Sequence, residues 1–88
     1  MKPWLVYFTK NDCPPCQLLD KDALVSAALL AGLPFYVVNQ SINNYTPGFC
    51  SVYRFPTFAI IKNRKILGKL TSSKTAAVID WINDFVSP

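Results

Sequence analysis

The stretch "NDCPPCQLLD", residues 11–20, holds two of the three cysteines of the chain and places two prolines between them. Cysteines at this spacing occur in metal sites, in structural disulfides and in reversible redox pairs. Residues 4–9 before it (WLVYFT) are aromatic and β-branched, which predicts a strand buried on both faces. Pro15 suits the first turn of a helix, and the sequence predicts one helix from there to about Ala31, ended by Gly32.

The elements that follow complete a mixed α/β pattern. Residues 35–40 (FYVVNQ) predict a second strand, and the strand–helix–strand order predicts a parallel pair. A short helix is expected within residues 48–54. Residues 56–70 predict an antiparallel hairpin that turns at Asn63-Arg64. A last helix, capped by Ser73 or Ser72, carries an apolar stripe formed by Val78, Trp81, Ile82, Phe85 and Val86. The predicted order is β-α-β-(short α)-β-β-α.

The composition excludes several kinds of protein and of site. A chain of 88 residues that is 51% hydrophobic predicts one packed domain spanning residues 1–88. It contains no histidine and no glutamate, which excludes Cys-His dyads, Ser-His-Asp triads and zinc sites that need imidazole. Only Cys50 lies outside the pair, so a four-cysteine zinc site would need two chains.

The apolar runs predict neither a membrane span nor a signal peptide, because none approaches about 20 residues and the N-terminal stretch has no small-residue cleavage site. We therefore expect a cytoplasmic protein. Thiols are kept reduced in that compartment, which disfavours a purely structural disulfide.

The net charge of +4 is unevenly distributed. Residues 54–79 contain no acidic residue before Asp80. The basic residues of this stretch are Arg54, Lys62, Arg64, Lys65, Lys69 and Lys74. One interpretation is a solvated face of the hairpin, and the other is attraction to an acidic partner or a small anion. The basic residues match no nucleic-acid-binding motif, so no nucleic-acid partner is predicted.

The chemistry of the pair follows from its place at the start of a helix. Backbone N–H groups and the helix dipole are expected to lower the pKa of Cys13 below the free value of ~8.5. Cys16, in the first turn, is predicted to lie on the same side but to be more buried and less acidic. Cys13 is thus the predicted attacking thiolate and Cys16 the predicted resolving thiol. Pro14 and Pro15 restrict the loop between them and remove two N–H donors.

The helix-opening C-P-x-C and the sequence RFPTFAII about 40 residues later resemble the thioredoxin superfamily over essentially the whole chain. The resemblance implies a thioredoxin fold, a four-stranded mixed sheet flanked by helices, and thiol–disulfide oxidoreductase activity. It also implies that Pro56 is cis and lies against the cysteine pair, and that the backbone of Phe55 pairs with a bound substrate. The predicted substrate-binding residues are Pro14, Pro15, Phe55, Pro56 and Thr57.

Two branches of the superfamily remain open. The early first cysteine and Pro14 resemble glutaredoxins, whereas the hairpin resembles thioredoxins. Thioredoxins place a buried carboxylate on the preceding strand, where this chain has Tyr7. Glutaredoxins have a Gly-Gly pair and an acid after the hairpin, and residues 67–75 (LGKLTSSKT) contain one glycine and no acid. We predict a thioredoxin-like protein disulfide reductase, with a glutathione-dependent glutaredoxin as the alternative.

The resemblance also bears on partners and cofactors. It implies a monomer that binds no metal, flavin or nucleotide and is recycled by thioredoxin reductase with NADPH or by glutathione. Disulfide-containing proteins are the implied substrates, with ribonucleotide reductase as one candidate client. More remote alternatives are a metal-binding dimer joined through the two C-x-x-C pairs and a redox-inactive binding domain.

Residues outside the pair carry further alternatives. Cys50 is interpreted as a small buried hydrophobe, a regulatory or partner-bonded thiol, or a metal ligand. Phe49, Tyr53 and Phe55 are candidates for an exposed apolar patch beside the substrate groove.

Overall fold

The computed structural model describes residues 2–43 and 45–87. Its strands and helices follow the predicted order, except that two helices replace the predicted first one. In chain order the elements are β1 (Trp4–Thr9), α1 (Pro14–Gln17), α2 (Lys21–Leu30), β2 (Phe35–Asn39), α3 (Tyr45–Phe49), β3 (Thr57–Lys62), β4 (Lys65–Thr71) and α4 (Thr75–Val86). None of the described helices is long and apolar enough to cross a membrane.

The four strands form one mixed sheet in the order β2-β1-β3-β4. Strand β1 pairs in parallel with β2 and antiparallel with β3, and β3 pairs antiparallel with β4. Residues Leu5 to Phe8 of β1 are all buried, because the strand has a neighbour on each side and a packed layer on each face. The prediction of a doubly buried first strand is confirmed.

The alternation of side chains divides the core between the two faces of the sheet. On one face, residues of β1 and β3 pack against α2 and α4, and the central members are Leu5, Tyr7, Leu24, Ala28, Phe58, Ile60, Val78 and Ile82. On the other face a smaller cluster joins the same strands to the segment after α3, and its members are Val6, Phe8, Cys50, Val52 and Ala59.

The prediction of one helix from Pro15 to Ala31 is wrong, because Asp20 starts a second helix. Its backbone is extended, and its side-chain oxygen accepts a hydrogen bond from the N–H of Ala23 at 3.1 Å. Its own N–H donates to Oγ1 of Thr75 at 2.9 Å, which ties the start of α2 to the start of α4. An aspartate that caps a helix in this way satisfies a free N–H of the first turn, so the chain bends at that point.

The ends of the other elements also differ in part from the predictions. Gly32 follows the end of α2 with φ of 73°, as a glycine stop requires. The short helix α3 lies earlier than the predicted range of residues 48–54. Lys74, with no capping side chain, precedes α4, whereas Oγ of Ser72 accepts the N–H of Lys74 at 3.1 Å. Neither predicted serine therefore caps that helix.

The predicted apolar stripe of α4 is buried only in its first half. Val78 and Ile82 are fully buried, and Trp81 is partly buried. Phe85 and Val86 are exposed, so the end of the stripe adds little to the core.

The predicted hairpin is confirmed and has its turn at Asn63 and Arg64. Both residues have positive φ, 52° and 65°, as a two-residue turn of the primed type needs. Ile61 pairs with Ile66, but Ile60 pairs with Gly68, so β4 contains a bulge between these pairs. The bulge fixes which face of the sheet each residue of β4 beyond it occupies.

Candidate active site

The two cysteines of residues 11–20 form a disulfide at the start of α1. The S–S distance between Cys13 and Cys16 is 2.02 Å, and their Cα atoms are 5.2 Å apart. Cys13 caps the helix, since its Sγ accepts a hydrogen bond from the N–H of Cys16 at 3.2 Å. Pro14 and Pro15 occupy the first two helical positions, where their missing N–H groups break no intrahelical bond.

Two details of the predicted chemistry change. The helix that follows Cys13 has only four residues, so the dipole of a long helix does not act there, and the N–H of Cys16 is the local donor. The two cysteines also do not differ in burial as predicted, because Cys13 is 3% and Cys16 4% exposed. In the disulfide each sulfur shields the other. The two residues differ in position: Cys13 lines an open cavity of about 390 Å³, and Cys16 is not part of its lining.

This cavity lies between the loop after β1 and the segment before β3. Besides Cys13 it is lined by Lys10, Asp12, Pro14, Pro15, Tyr53, Arg54, Phe55 and Thr71. Three predicted substrate-binding residues, Pro14, Pro15 and Phe55, are therefore brought together with the predicted nucleophile. The ammonium of Lys10 lies 5.6 Å from the ring centroid of Phe55, a cation–π distance.

The other two predicted residues lie behind the cavity wall. The Phe55-Pro56 peptide bond is cis, as the resemblance implies, and Pro56 is buried. Thr57 is also buried, and its hydroxyl donates to the carbonyl of Arg54 at 2.7 Å. Because that hydroxyl has only one proton, it accepts from Thr71, whose Oγ1 is 2.6 Å away. Thr57 thus holds the loop before β3 in place.

The sequence predicted Tyr53 beside the substrate groove, but it did not assign Arg54 or Thr71 to this cavity wall. Arg54 stood out only as a member of the basic run, although its place two residues before Pro56 was a usable signal. Of the predicted apolar patch, Phe49 and Tyr53 are exposed and Phe55 is partly buried. Only Tyr53 and Phe55 line the cavity.

The third cysteine lies in the smaller core cluster. Cys50 is buried among Val6, Phe8, Val52 and Ala59 and forms no disulfide. Burial raises the pKa of its thiol, and the nearby charge of Lys69 opposes part of that rise. These surroundings favour its interpretation as a small buried hydrophobe. Among the described residues, no group of three or more cysteine and aspartate side chains could hold a metal ion.

Tyr7 occupies the strand position where the resemblance implies a carboxylate. The side chain is buried, and its ring stacks on Phe58 with 5.0 Å between centroids. Its hydroxyl has no hydrogen-bond partner within the part of the chain that the structure describes. A buried phenol therefore lies in the core that packs against α2 and α4.

A larger groove, of about 680 Å³, lies elsewhere on the sheet. Its walls include Trp4, Val6, Tyr36, Val38 and Ile61, and it contains neither of the paired cysteines. Because no cysteine lines it, its size does not make it the candidate site of thiol chemistry.

Comparisons with known proteins agree with this fold and site. The family model described as Thioredoxin matches residues 1–84. No curated protein sequence matches the chain. Thioredoxin f2 of Chlamydomonas reinhardtii is 25% identical, with a TM-score of 0.82 over 99% of this chain and 82% of that chain. Fasciola hepatica thioredoxin is 22% identical, with a TM-score of 0.81 over 94% and 80%.

A third solved structure, the thioredoxin of Malassezia sympodialis, has a TM-score of 0.85 over 98% of this chain and 76% of that chain at 18% identity. The four-stranded mixed sheet flanked by helices is the thioredoxin fold, and the predicted fold class is confirmed. The match to the family model covers nearly the whole chain and includes the C-x-x-C disulfide. The chain therefore belongs to the thioredoxin family and is a thiol–disulfide oxidoreductase.

Proposed function

We propose that the protein reduces disulfides of other proteins in the manner of a thioredoxin, with Cys13 as the nucleophile. The observation that carries this proposal is the position of Cys13 in the wall of an open cavity that is also lined by Phe55, the residue before the cis Pro56. Cys16 lies inside α1 and outside that wall. A target disulfide that enters the cavity meets the sulfur of Cys13 first.

The exchange needs only the two thiols of the reduced protein. The Cys13 thiolate attacks one sulfur of the target disulfide, forms a mixed disulfide and releases the other target sulfur as a thiolate, which takes up a proton. Cys16 then loses its proton and attacks the sulfur of Cys13. The target leaves as its second thiol, and the Cys13–Cys16 disulfide observed in the structure is restored. Two electrons pass from the protein to the target, so the proposal requires no bound cofactor.

The proposed reductant of the resulting disulfide is thioredoxin reductase with NADPH. The match to the family model and the absence of an acid in residues 67–75, where glutaredoxins hold glutathione, support this choice. The proposed setting is the cytoplasm, with the protein acting as a monomer on disulfide-containing proteins. Ribonucleotide reductase is a candidate client.

A glutathione-dependent glutaredoxin is the second candidate. Pro14 directly after Cys13 favours it, and so do Lys10 and Arg54, since the carboxylates of glutathione could pair with cations in the cavity.

The reductant is identified by counting free thiols of the oxidised protein over time. One sample receives NADPH with thioredoxin reductase, and the other receives reduced glutathione. We expect two new thiols per chain with the reductase and slow reduction by glutathione. Rapid reduction by glutathione alone, through a mixed disulfide at Cys13, would replace the proposal by the glutaredoxin alternative.

The roles of the two cysteines are tested by trapping. Cys16→Ser should accumulate a mixed disulfide between Cys13 and a protein substrate, because no second thiol resolves it. Cys13→Ser should trap nothing, and Cys50→Ser serves as the control that keeps the active pair. Trapping by Cys13→Ser at the same yield would contradict the assignment of the nucleophile.

A further inference from the structure

A second, smaller cavity adjoins the one that contains Cys13. It has a volume of about 220 Å³ and is lined by Ser51, Val52, Tyr53, Arg54, Thr57, Lys69 and Thr71. Tyr53, Arg54 and Thr71 belong to the walls of both cavities. A space of this volume is large enough for a side chain of a bound substrate.

At this second cavity, bonds hold the ammonium group of Lys69 and the backbone of Arg54. The Nζ atom of Lys69 donates to the carbonyl oxygens of Cys50 at 3.3 Å and of Ser51 at 3.2 Å. These bonds use two of its three N–H donors and leave one free. The backbone of Arg54 is held by the bond from the Thr57 hydroxyl to its carbonyl oxygen at 2.7 Å.

The two cavities together are cationic. Lys10, Arg54 and Lys69 line them, against a single acid, Asp12, which lies only in the wall of the Cys13 cavity. The hydroxyl protons of Thr57 and Thr71 are already donated, to the Arg54 carbonyl and to Thr57. The charged donors of the second cavity are therefore those of Arg54 and Lys69, and no acid opposes them there. Such a set of donors suits an anion, and the planar guanidinium of arginine suits a carboxylate in particular.

We propose that this second cavity selects protein disulfides with an aspartate or glutamate next to the target cysteine, and that Arg54 is the main residue that recognises it. The inference rests on the proposed function. A target sulfur at Cys13 places the neighbouring substrate residue along Tyr53, Arg54 and Thr71, which the two cavities share. The acidic side chain pairs with Arg54, and Lys69 adds the second positive charge.

The test uses three peptide disulfides that are identical except for the residue beside one cysteine, which is Glu, Gln or Lys. The fully reduced protein is mixed with each peptide, and kcat/KM is measured with thioredoxin reductase and NADPH supplied in excess. For a pair between the exposed Arg54 and a carboxylate we expect about a two- to fivefold preference for the Glu peptide over the Gln peptide. The preference should fall as salt is raised, because exposed charges are screened.

Three variants of the protein test whether Arg54 causes the preference for the Glu peptide. Arg54→Gln should bring the Glu/Gln ratio close to one. Arg54→Glu should reverse the order so that the Lys peptide reacts fastest, a gain that misfolding cannot produce. The matched control is Arg64→Gln, which removes the same charge at the β3–β4 turn and should leave the ratio unchanged.

The outcomes separate the inference from the proposed function. If no peptide is reduced, the proposed reductase activity fails and the inference fails with it. If all three peptides are reduced at equal rates, the reductase stands and the inference is overturned. Oxidised glutathione, which also carries carboxylates, is run as a separate substrate. Dependence on Arg54 for glutathione but not for the peptides would mean that the site serves glutathione, which also overturns the inference.

Discussion

Replacing Tyr7 by phenylalanine should stabilise the protein. The Tyr7 hydroxyl is buried and has no hydrogen-bond partner among the described residues. A buried polar group without a partner costs about 1–3 kcal/mol of the free energy of unfolding. Its removal leaves a void on the order of 10 Å³, which at about 24 cal/mol per Å³ costs about 0.2 kcal/mol. The ring keeps its stacking on Phe58 at 5.0 Å between centroids. The net expectation is a gain of about 1–3 kcal/mol.

The assay is urea unfolding of the oxidised protein followed by far-ultraviolet circular dichroism. The midpoint should rise while the m-value stays the same, and for a domain of this size each kcal/mol raises Tm by about 4–8 °C. Tyr36→Phe is the matched control, because it removes the same atom from a side chain that is 49% exposed. We expect the control to change the free energy of unfolding by less than about 0.5 kcal/mol.

A loss of about 1 kcal/mol or more in Tyr7→Phe relative to Tyr36→Phe would refute the reasoning. It would mean that the hydroxyl is hydrogen-bonded in solution, for example to a buried water, and that Tyr7 contributes a polar contact to the core.

Three further changes test other parts of the structure. In the oxidised protein, Cys50 is the remaining free thiol, and burial raises its pKa. Because the folded protein then holds this proton more tightly than the unfolded chain, the stabilisation is complete below about pH 8.5. Above that pH the free energy of unfolding should fall by up to about 1.4 kcal/mol per pH unit. Urea unfolding from pH 7 to 10 should show this loss relative to Cys50→Ala, and parallel curves would contradict it. Asp20→Ala should lower the free energy of unfolding by about 1 kcal/mol, because the hydrogen bond from the Ala23 N–H is lost. Asp20→Asn keeps a capping oxygen and should lower it less. Equal losses in the two variants would exclude the cap as the cause. Gly32→Ala should lower the free energy of unfolding by about 1–2 kcal/mol, because φ is 73° there. The control, Gly48→Ala, replaces a glycine without positive φ that has open space around it, and it should lower the free energy less. The opposite order of the two losses would argue against backbone strain at Gly32.

Local sequence patterns correctly predicted the features that depend on neighbouring residues in the chain. The C-P-P-C stretch, the apolar run of β1 and the hairpin turn at Asn63-Arg64 depend on residues within a few positions of each other. The division of the first helix was missed although Asp20, a good capping residue, stood in the sequence. The bond that accompanies this break, from Asp20 N–H to Thr75, joins residues 55 positions apart. No local pattern indicates such a bond.

The burial of the cysteines was wrongly predicted for a related reason. The prediction treated the helix start as isolated, where the residue before the first turn is more exposed than one within it. It therefore made Cys16 more buried than Cys13. In the folded protein both are buried alike, and the disulfide joins them. The difference between their roles therefore comes from the cavity beside Cys13, which is built by Tyr53, Arg54 and Thr71 from other parts of the chain.

The bulge in β4 explains why a regular hairpin does not predict the place of Thr71 in that wall. Counting outward from the turn, where Lys62 pairs with Lys65, a regular hairpin would place Leu70 opposite Thr57. One extra residue in β4 instead places Thr71 opposite Thr57 and Lys69 opposite Ala59. A shift of one residue moves each of these side chains to the other face of the sheet.

With the bulge, Thr71 reaches the hydroxyl of Thr57, and the ammonium of Lys69 reaches the carbonyl oxygens of Cys50 and Ser51. Without it, both would face the core that packs against α2 and α4, where a lysine has no partner. A single inserted residue far from the cysteines thus places the hydroxyl and the positive charge that line the two cavities. The identity of the nucleophile follows from a local motif, whereas the residues proposed to select its substrates depend on strand register.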